Sequence, residues 1–534
     1  MSLRKIYIAL LFIVAVSLAT AQVPFSLLIK PSTTVTNVPA LHSGVYVSYN
    51  NNWLFIGGRK NGLHGFLPPF AFPISGVPDS IYVLDPALNK KWSAPVDVLS
   101  DNIREAITSS NMEFYLSDSM LYMIGGYGWK DSISNFVTFP TLTAVNVKRL
   151  MDAVMQGASI ASYFRQIIDQ RFAVCGTHLK KIDSTYYLIF GHRFDGRYDR
   201  SSTSGFHVQK YTNEIRKFKI VDSGTNLSIT SYVADKDTVN FHRRDLNIMP
   251  QYYFNGEKAL TAFSGVFQYN KVLPFLNCVN ISKTGTAVDA TFNQYLSQYH
   301  SAVATTYDSV PGKQYNIFFG GISEFYIDTI THLQMQDTLV PFVNTISIVV
   351  RDKNNNYSEY NASITMPALL GTNAYFFPVN GCPVFFDGII DYSKLSGNQL
   401  IGFIVGGIAT PEKNISLTDP VYSSANAIVY EVWLDKSGAG IKNVSVSDHS
   451  LLDLEVFPNP AVDNITVSFF SEKQQSLKID IFNMEGQLMK EVFVGPVSKE
   501  QCTYSADTKT LPAGNYFINV RNNSIRRAVK FSKK

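Results

Sequence analysis

A short apolar run closed by glycine recurs six times along the middle of the chain. The copies are Trp53-Leu-Phe-Ile-Gly-Gly58, Leu121-Tyr-Met-Ile-Gly-Gly126, Tyr187-Leu-Ile-Phe-Gly191, Leu260-Thr-Ala-Phe-Ser-Gly265, Asn316-Ile-Phe-Phe-Gly-Gly321 and Gly402-Phe-Ile-Val-Gly-Gly407. Runs this short, rich in β-branched and aromatic residues, predict strands, and the closing glycine permits positive φ or a close backbone approach where the chain leaves the strand. A second apolar segment precedes the run, as in Ser43-Gly-Val-Tyr-Val-Ser48, Ser301-Ala-Val-Ala-Thr305 and Pro383-Val-Phe-Phe386. A third follows it, as in Ile81-Tyr-Val-Leu-Asp85, Ile215-Arg-Lys-Phe-Lys-Ile220, Thr345-Ile-Ser-Ile-Val-Val350 and Ala427-Ile-Val-Tyr-Glu-Val432. Each repeat is therefore several strands long, and such a unit buries both faces only by stacking on its neighbours. One stretch departs from the pattern: Val147, Leu150, Met151, Val154, Met155 and Ala158 are spaced for an amphipathic helix, which places a helical insertion near residues 147–168, between the second and third repeats. It either packs against the side of the repeats or covers a binding face as a lid.

The repeats resemble kelch units, in which a strand ending in Gly-Gly is followed by a Tyr-x-Leu-Asp-like strand and then Trp. The first copy carries the whole pattern in Gly57-Gly58, Tyr82-Val-Leu-Asp85 and Trp92. Copies three and four keep one glycine of the pair, and the spacing between copies runs from about 56 to about 86 residues, against roughly 50 for a regular kelch unit. The resemblance implies an all-β fold: a kelch-type β-propeller, six-bladed, over residues 22–436, with closure helped by an N-terminal strand around Phe25 to Ile29. Strand counts alone also allow two unrelated β-sandwiches.

Both ends of the chain carry a different signal. Arg4 and Lys5 precede an apolar run from Ile6 to Leu18 and the tripeptide Ala19-Thr20-Ala21, the pattern of a signal peptide over residues 1–21 cleaved after Ala21. The run is shorter than the roughly 20 residues that span a bilayer, so no membrane span is expected. Residues 437–452 are small, polar and Gly-bearing, as linkers are. From 453 to 534 short alternating strands return, as in Ile465-Thr-Val-Ser-Phe469, Leu477-Lys-Ile-Asp-Ile-Phe482 and Tyr516-Phe-Ile-Asn-Val520, and predict a small immunoglobulin-like β-sandwich. Its landmarks are Phe457-Pro458-Asn459-Pro460, the segment Asp480–Gln487 with Gly486, Leu511-Pro-Ala-Gly514-Asn-Tyr516 and Lys530-Phe-Ser-Lys533. In that order they resemble the type A C-terminal sorting domain of type IX secretion cargo. The resemblance implies export through the periplasm, the type IX machinery as partner, and a destination outside the cell or on its outer surface, with the domain removed afterwards.

Composition agrees with this picture. The chain has 534 residues, 46% hydrophobic and 16% charged, too long for one ordinary domain and too apolar for disorder. The 37 Phe and 29 Tyr favour strands. A net charge of +4, smaller still once Arg4 and Lys5 leave with the leader, argues against nucleic acid as a partner. A monomer is expected. Cys175, Cys278, Cys382 and Cys502 form no CxxC pair, and in a six-bladed ring Cys175 and Cys382 stand on opposite blades, beyond disulfide reach.

In a propeller the loop entering the first strand of a blade and the loop leaving the second emerge on one face. The residues placed there are Arg59, Lys60, Arg104, Trp129, His192, Arg193, His242, Arg243, Arg244 and His300. Arginine forks and aromatic rings suit an anionic or sugar-like ligand. The same arginines and histidines equally serve to bond backbone carbonyls and aspartates between blades. His242 and Asp245 are a base and a carboxylate close in sequence, but on extended backbone they diverge. Asp195 and Asp199 lack the alternation of a calcium loop. No cofactor and no metal are expected. Asp followed by Ser or Thr and then an aliphatic residue or Thr recurs at Ser80, Ser119, Ser132, Ser184, Thr238, Ser309, Thr329 and Thr338, which resembles an O-glycosylation triplet of bacteria with type IX secretion; Asp-Ser and Asp-Thr also favour turns. The function expected is an exported module that binds a glycan or a protein. The alternatives are an exported kelch enzyme acting on carbohydrate and an adhesin or motility component.

Overall fold

The computed structural model describes residues 23–199, 201, 207–328, 333–415, 422–437, 444–445, 451–483, 487–522 and 526–534. The leader with Ala21, most of the expected linker, Thr329 and Gly486 lie outside them. The fold is all-β, as expected, with few helices. Hairpins order it. In each repeat the apolar run ending in glycine is the second strand of a sheet and pairs antiparallel with a first strand before it and a third after it. The first sheet comprises Val45–Tyr49, Asn52–Ile56, Ser80–Asp85 and Lys90–Pro95. The second comprises Glu113–Ser117, Met120–Ile124, Thr141–Asn146 and Phe164–Ile168. The third, fourth and fifth begin at His178–Ile182, Asn247–Tyr252 and Ala302–Asp308. The sixth joins Leu369–Pro378, Asn398–Thr410 and Tyr430–Asp435 to the N-terminal strand Ser26–Pro31, in the register Ser26↔Asp435 to Pro31↔Tyr430.

The glycine signature does what its chemistry predicts. Gly57 and Gly58, Gly125 and Gly126, Gly320 and Gly321, and Gly406 and Gly407 all have positive φ. In the two copies lacking the first glycine, Phe190 and Ser264 adopt the same left-handed conformation, at φ 63° and 51°. A Cβ on Gly58 would lie 2.4 Å from the His42 carbonyl oxygen, so the second glycine also permits the approach of the neighbouring strand.

Sheets stack pairwise, and each interface is an apolar core. Leu54, Ile56 and Ile81 of the first sheet meet Leu121, Met123 and Val145 of the second. Ile124 and Leu142 meet Leu188 and Phe218 of the third, and Ile189 and Ile215 meet Leu260 and Val279 of the fourth. Phe263 and Cys278 pack on Phe318 and Val349 of the fifth. Ile317 and Ile346 pack on Ile404 and Val432 of the sixth. Phe377 and Phe403 of the sixth sheet also pack against Trp53 and Phe55 of the first; Trp53 stacks on Phe377 at 4.6 Å.

Three expectations need correction. The helix near 147–168 covers only Val147–Gln156: Gly157 ends it at φ +66°, and Phe164–Ile168 form the outermost strand of the second sheet. It lies within that sheet's connections, and its buried face of Leu150, Met151 and Val154 joins the core between the first two sheets, so it packs against the sheets rather than serving as a lid. The segment Pro383–Phe386 is not the first strand of the sixth repeat; that strand is Leu369–Pro378, and 379–389 is a loop. The linker contains a two-residue strand, Val444–Ser445, paired with Tyr360 and Asn361.

The C-terminal residues fold as two facing sheets. One has Leu451–Phe457, Asn464–Ser471 and Gln501–Asp507; the other has Leu488–Val497, Gln475–Asn483, Gly514–Arg521 and Arg526–Lys533. Their core includes Ile465, Val467, Ile479, Ile518 and Phe531. The landmark residues gather on the terminal strand: Asn459 accepts from the Ser532 backbone N–H at 3.0 Å, and Tyr516 stacks on Phe531 at 5.6 Å. No helix among the described residues is long and apolar enough to cross a membrane.

Candidate functional site

In the first four repeats the residue after the glycine signature bridges back to the segment entering its sheet: Arg59 to His42, Tyr127 to Ser110, His192 to Cys175 and Val266 to Arg244. Entering and leaving loops are thereby held together. Three of the leaving loops are hairpins, Tyr127–Lys130 with Asn135–Thr138, His192–Gly196 with His207–Tyr211 and Phe325–Ile327 with Gln334–Gln336.

The cations expected to line this face are used by the fold. Arg243 has no exposed surface. Its guanidinium donates to the carbonyls of Asn240, Ser264 and Asn277 and to Asn277 Oδ1, and lies 3.9 Å from the Phe275 ring centroid. Burial pulls its pKa down to about 9. Arg59 is buried, donates to Asn61 Oδ1 and the Pro73 carbonyl, and lies over Phe72 and Phe136. Arg244 pairs with Asp245 and bonds Tyr211 Oη. Lys60 pairs with Asp79, Arg104 with Asp101 and Asp131, and Arg193 with Asp195. His192 is buried against Gln209, and burial holds it well below the usual imidazole range. Arg59, His192 and Arg243 are therefore interior residues rather than rim contacts, because loop carbonyls at the sheet ends require donors. Asp195 accepts from Arg193 and from Thr138 N–H, and Asp199 from Ser201. Among the described residues no group of three His, Cys, Asp or Glu stands close enough to share a metal ion. The four cysteines are unpaired.

What the face presents instead is a run of rings. His64 stacks on Phe72 at 4.2 Å and meets Tyr198 at 5.1 Å; Tyr198 meets Phe194 at 4.9 Å and His207 at 5.1 Å. Tyr211 stacks on His242 at 3.7 Å, and His242 meets Tyr269 at 5.6 Å. These rings come from loops of the first, third and fourth sheets, and Trp129 of the second packs edge-on to Phe136 at 5.4 Å. His64, Phe66, Tyr198, His207, Tyr211 and His242 are half-buried, and Tyr269 is 65% exposed. Of the expected residues, Trp129 and His242 belong to this surface. Phe72, Tyr198 and Tyr211, which hold it together, were missed, because they lie several residues beyond the glycine signature.

Behind the face lies a cavity of about 510 Å³ lined by the first strands of all six sheets. Backbone bonds link the residues at one end: Asn111 N–H to Ser43 O, Ser43 to Asn373, Asn373 to His300, His300 to Asp245 and Asp245 to Gly176. At the other end the loop 379–389 carries Asp387 to within 4.0 Å of Lys180 and stacks Phe385 on Tyr252. Inside, His178 and His300 meet edge-on at 5.0 Å, and burial lowers the pKa of both. Glu113 accepts from Thr177 N–H at 2.8 Å, and burial pushes its pKa up to about 8. His300, placed on the face by the sequence, thus lines the cavity. The other lining residues carry no signal in the sequence, since six short strands far apart in the chain contribute them.

Residues 455–534 match a family model described as a secretion system C-terminal sorting domain. The chain is therefore marked for export through type IX secretion, to the cell surface or beyond. No match is found among curated proteins. Among solved structures, the chain is similar to that of YjhT, at 12% identity and a TM-score of 0.41 over 75% of this chain and 98% of that one. It is also similar to a fungal alcohol oxidase of the AA5 family in complex with copper, at 8% identity and a TM-score of 0.38 over 96% and 99%.

Proposed function

We propose that residues 22–436 are a six-bladed kelch-like propeller, exported by way of the C-terminal domain, whose loop face binds a neutral glycan. Six successive cores, the last joining the sixth sheet to the first, and the N-terminal strand completing the sixth sheet support the propeller. The observation that carries the ligand class is the run of half-buried rings from His64 to Tyr269 beside cations that already have partners. Sugar rings present C–H faces that stack on aromatic rings, and a site made of rings offers contact area at low conformational cost. An anionic ligand would need guanidinium forks, and those of Arg59, Arg104, Arg193, Arg243 and Arg244 are already bonded to carboxylates, carbonyls, an amide or a phenol.

The test is a glycan and polysaccharide array probed with the purified protein, with Tyr198→Ala and Tyr269→Ala beside it. Neutral glycans should be retained by the wild type, and each ring truncation should weaken binding by about 1 kcal/mol or more, roughly fivefold. Binding that is confined to acidic glycans, or unchanged in both variants, would count against this reading.

A further inference from the structure

The C-terminal domain does not hang free of the body. Between the second and third strands of the fifth sheet a hairpin, Phe325–Ile327 and Gln334–Gln336, leaves the body just after Gly320 and Gly321. Its outer strand pairs in parallel with the terminal strand of the sorting domain, Met335 opposite Ala528 and Gln336 opposite Val529. The hairpin, the body and the domain share a small apolar cluster, in which Tyr326, Met335, Val343 and Ala528 are buried together. Arg527 crosses from the domain to lie 4.4 Å from the centroid of Tyr295, a body residue.

The terminal strand pairs along its full length with Gly514–Arg521 on its inner side. Its outer side is shared: Asn459 and Ala461 of the same domain bond Ser532 and Lys534 there, and the hairpin takes the stretch at Ala528 and Val529; a stretch of edge with unpaired N–H and C=O groups is where strand addition occurs. Only two residue pairs join the hairpin to the strand, few for a permanent sheet, while the shared buried cluster favours contact. We propose that this hairpin is a releasable latch: it covers the outer edge of the sorting domain's terminal strand at Ala528 and Val529, and the export machinery engages that stretch only after the strand leaves the hairpin. Landmark residues Asn459 and Tyr516 brace the same strand from within the domain, so the edge is presented in a fixed form once it is freed.

A covalent lock tests this. Met335→Cys together with Ala528→Cys places two thiols at register partners on neighbouring strands, a separation that suits a disulfide. The oxidising periplasm would close it. In cells carrying the full chain, the double variant should show a cross-link on non-reducing gels and remain cell-associated, its secreted fraction falling on the order of tenfold, the effect of withholding a pairing edge by about 1.4 kcal/mol or more. Each single-cysteine variant should be exported like the wild type, which separates the lock from a folding defect. Cross-linked protein appearing outside in wild-type amounts would overturn the proposal and point to another edge, such as Leu488–Val497. So would failure of the double variant to cross-link.

Discussion

Glu113 sits on the first strand of the second sheet, wholly enclosed, with the Thr177 backbone N–H as its donor. Burial is the main cause of its raised pKa; the Thr177 bond opposes the shift, and Asp245 adds to it. Its carboxyl ionises near 4.5 in the unfolded chain and near 8 in the fold. Between those values the unfolded chain has released a proton that the folded chain keeps, so stability falls as pH rises through the window. The contribution is intact below the lower value and lost by the upper. Glu113→Gln keeps an acceptor for Thr177 without the titration. The variant should gain on the wild type as pH rises from about 5 to about 8, by a few kcal/mol, and no further above that. Urea unfolding of both proteins across that range measures it; a difference that does not change with pH would remove Glu113 as the cause. Nothing in Asn111-Met-Glu113 distinguishes this glutamate from a solvated one, because its enclosure is made by strands of other repeats. Arg243 teaches the same point from the opposite side. Its place in an entering loop was legible, but its burial was not, since the carbonyls it serves belong to residues as distant as Asn277.

Elements were more legible than their surroundings. The strands before the glycines and their left-handed exits follow from local sequence, and the retention of positive φ at Phe190 and Ser264 shows that the turn outlives the glycine. The helix from Val147 was legible in type but not in length. Its stop at Gly157 is local, whereas the strand Phe164–Ile168 exists because it pairs with Thr141–Val145. The N-terminal strand was expected around Phe25 to Ile29, and its pairing with Tyr430–Asp435 gives a sharp test of register. Leu27 is buried in the core between the fifth and sixth sheets, and its neighbour Leu28 is 48% exposed. Leu27→Ala should cost about 2–5 kcal/mol, while Leu28→Ala should stay within about 0.5 kcal/mol. A slip of one residue would exchange the two effects, and chemical unfolding of both variants distinguishes the outcomes.

For the whole molecule, each of the six glycine signatures marks the second strand of a sheet, but none announces the cavity their first strands line or the docking of the C-terminal domain, both of which join residues far apart in the chain. Electrostatics is likewise a property of the assembled face. Read singly, Arg59, Lys60, Arg104, Arg193, Arg243 and Arg244 make a basic rim; assembled, each is held by a carboxylate, an amide or a carbonyl of its own surroundings. A ligand stacked on the rings between them gains little from charge. Its affinity should change less than about twofold when ionic strength rises from about 0.01 M to about 0.1 M, although the screening length shrinks from about 30 to about 10 Å. An acidic polysaccharide held by arginines would weaken steeply over the same range, as each contact is screened. Binding isotherms at the two salt concentrations, with the tightest glycan from the array, therefore report whether the rings or the cations hold the ligand. A steep fall would return the face to its arginines and require that Arg244 leave Asp245, or Arg104 leave Asp101 and Asp131, when the ligand binds.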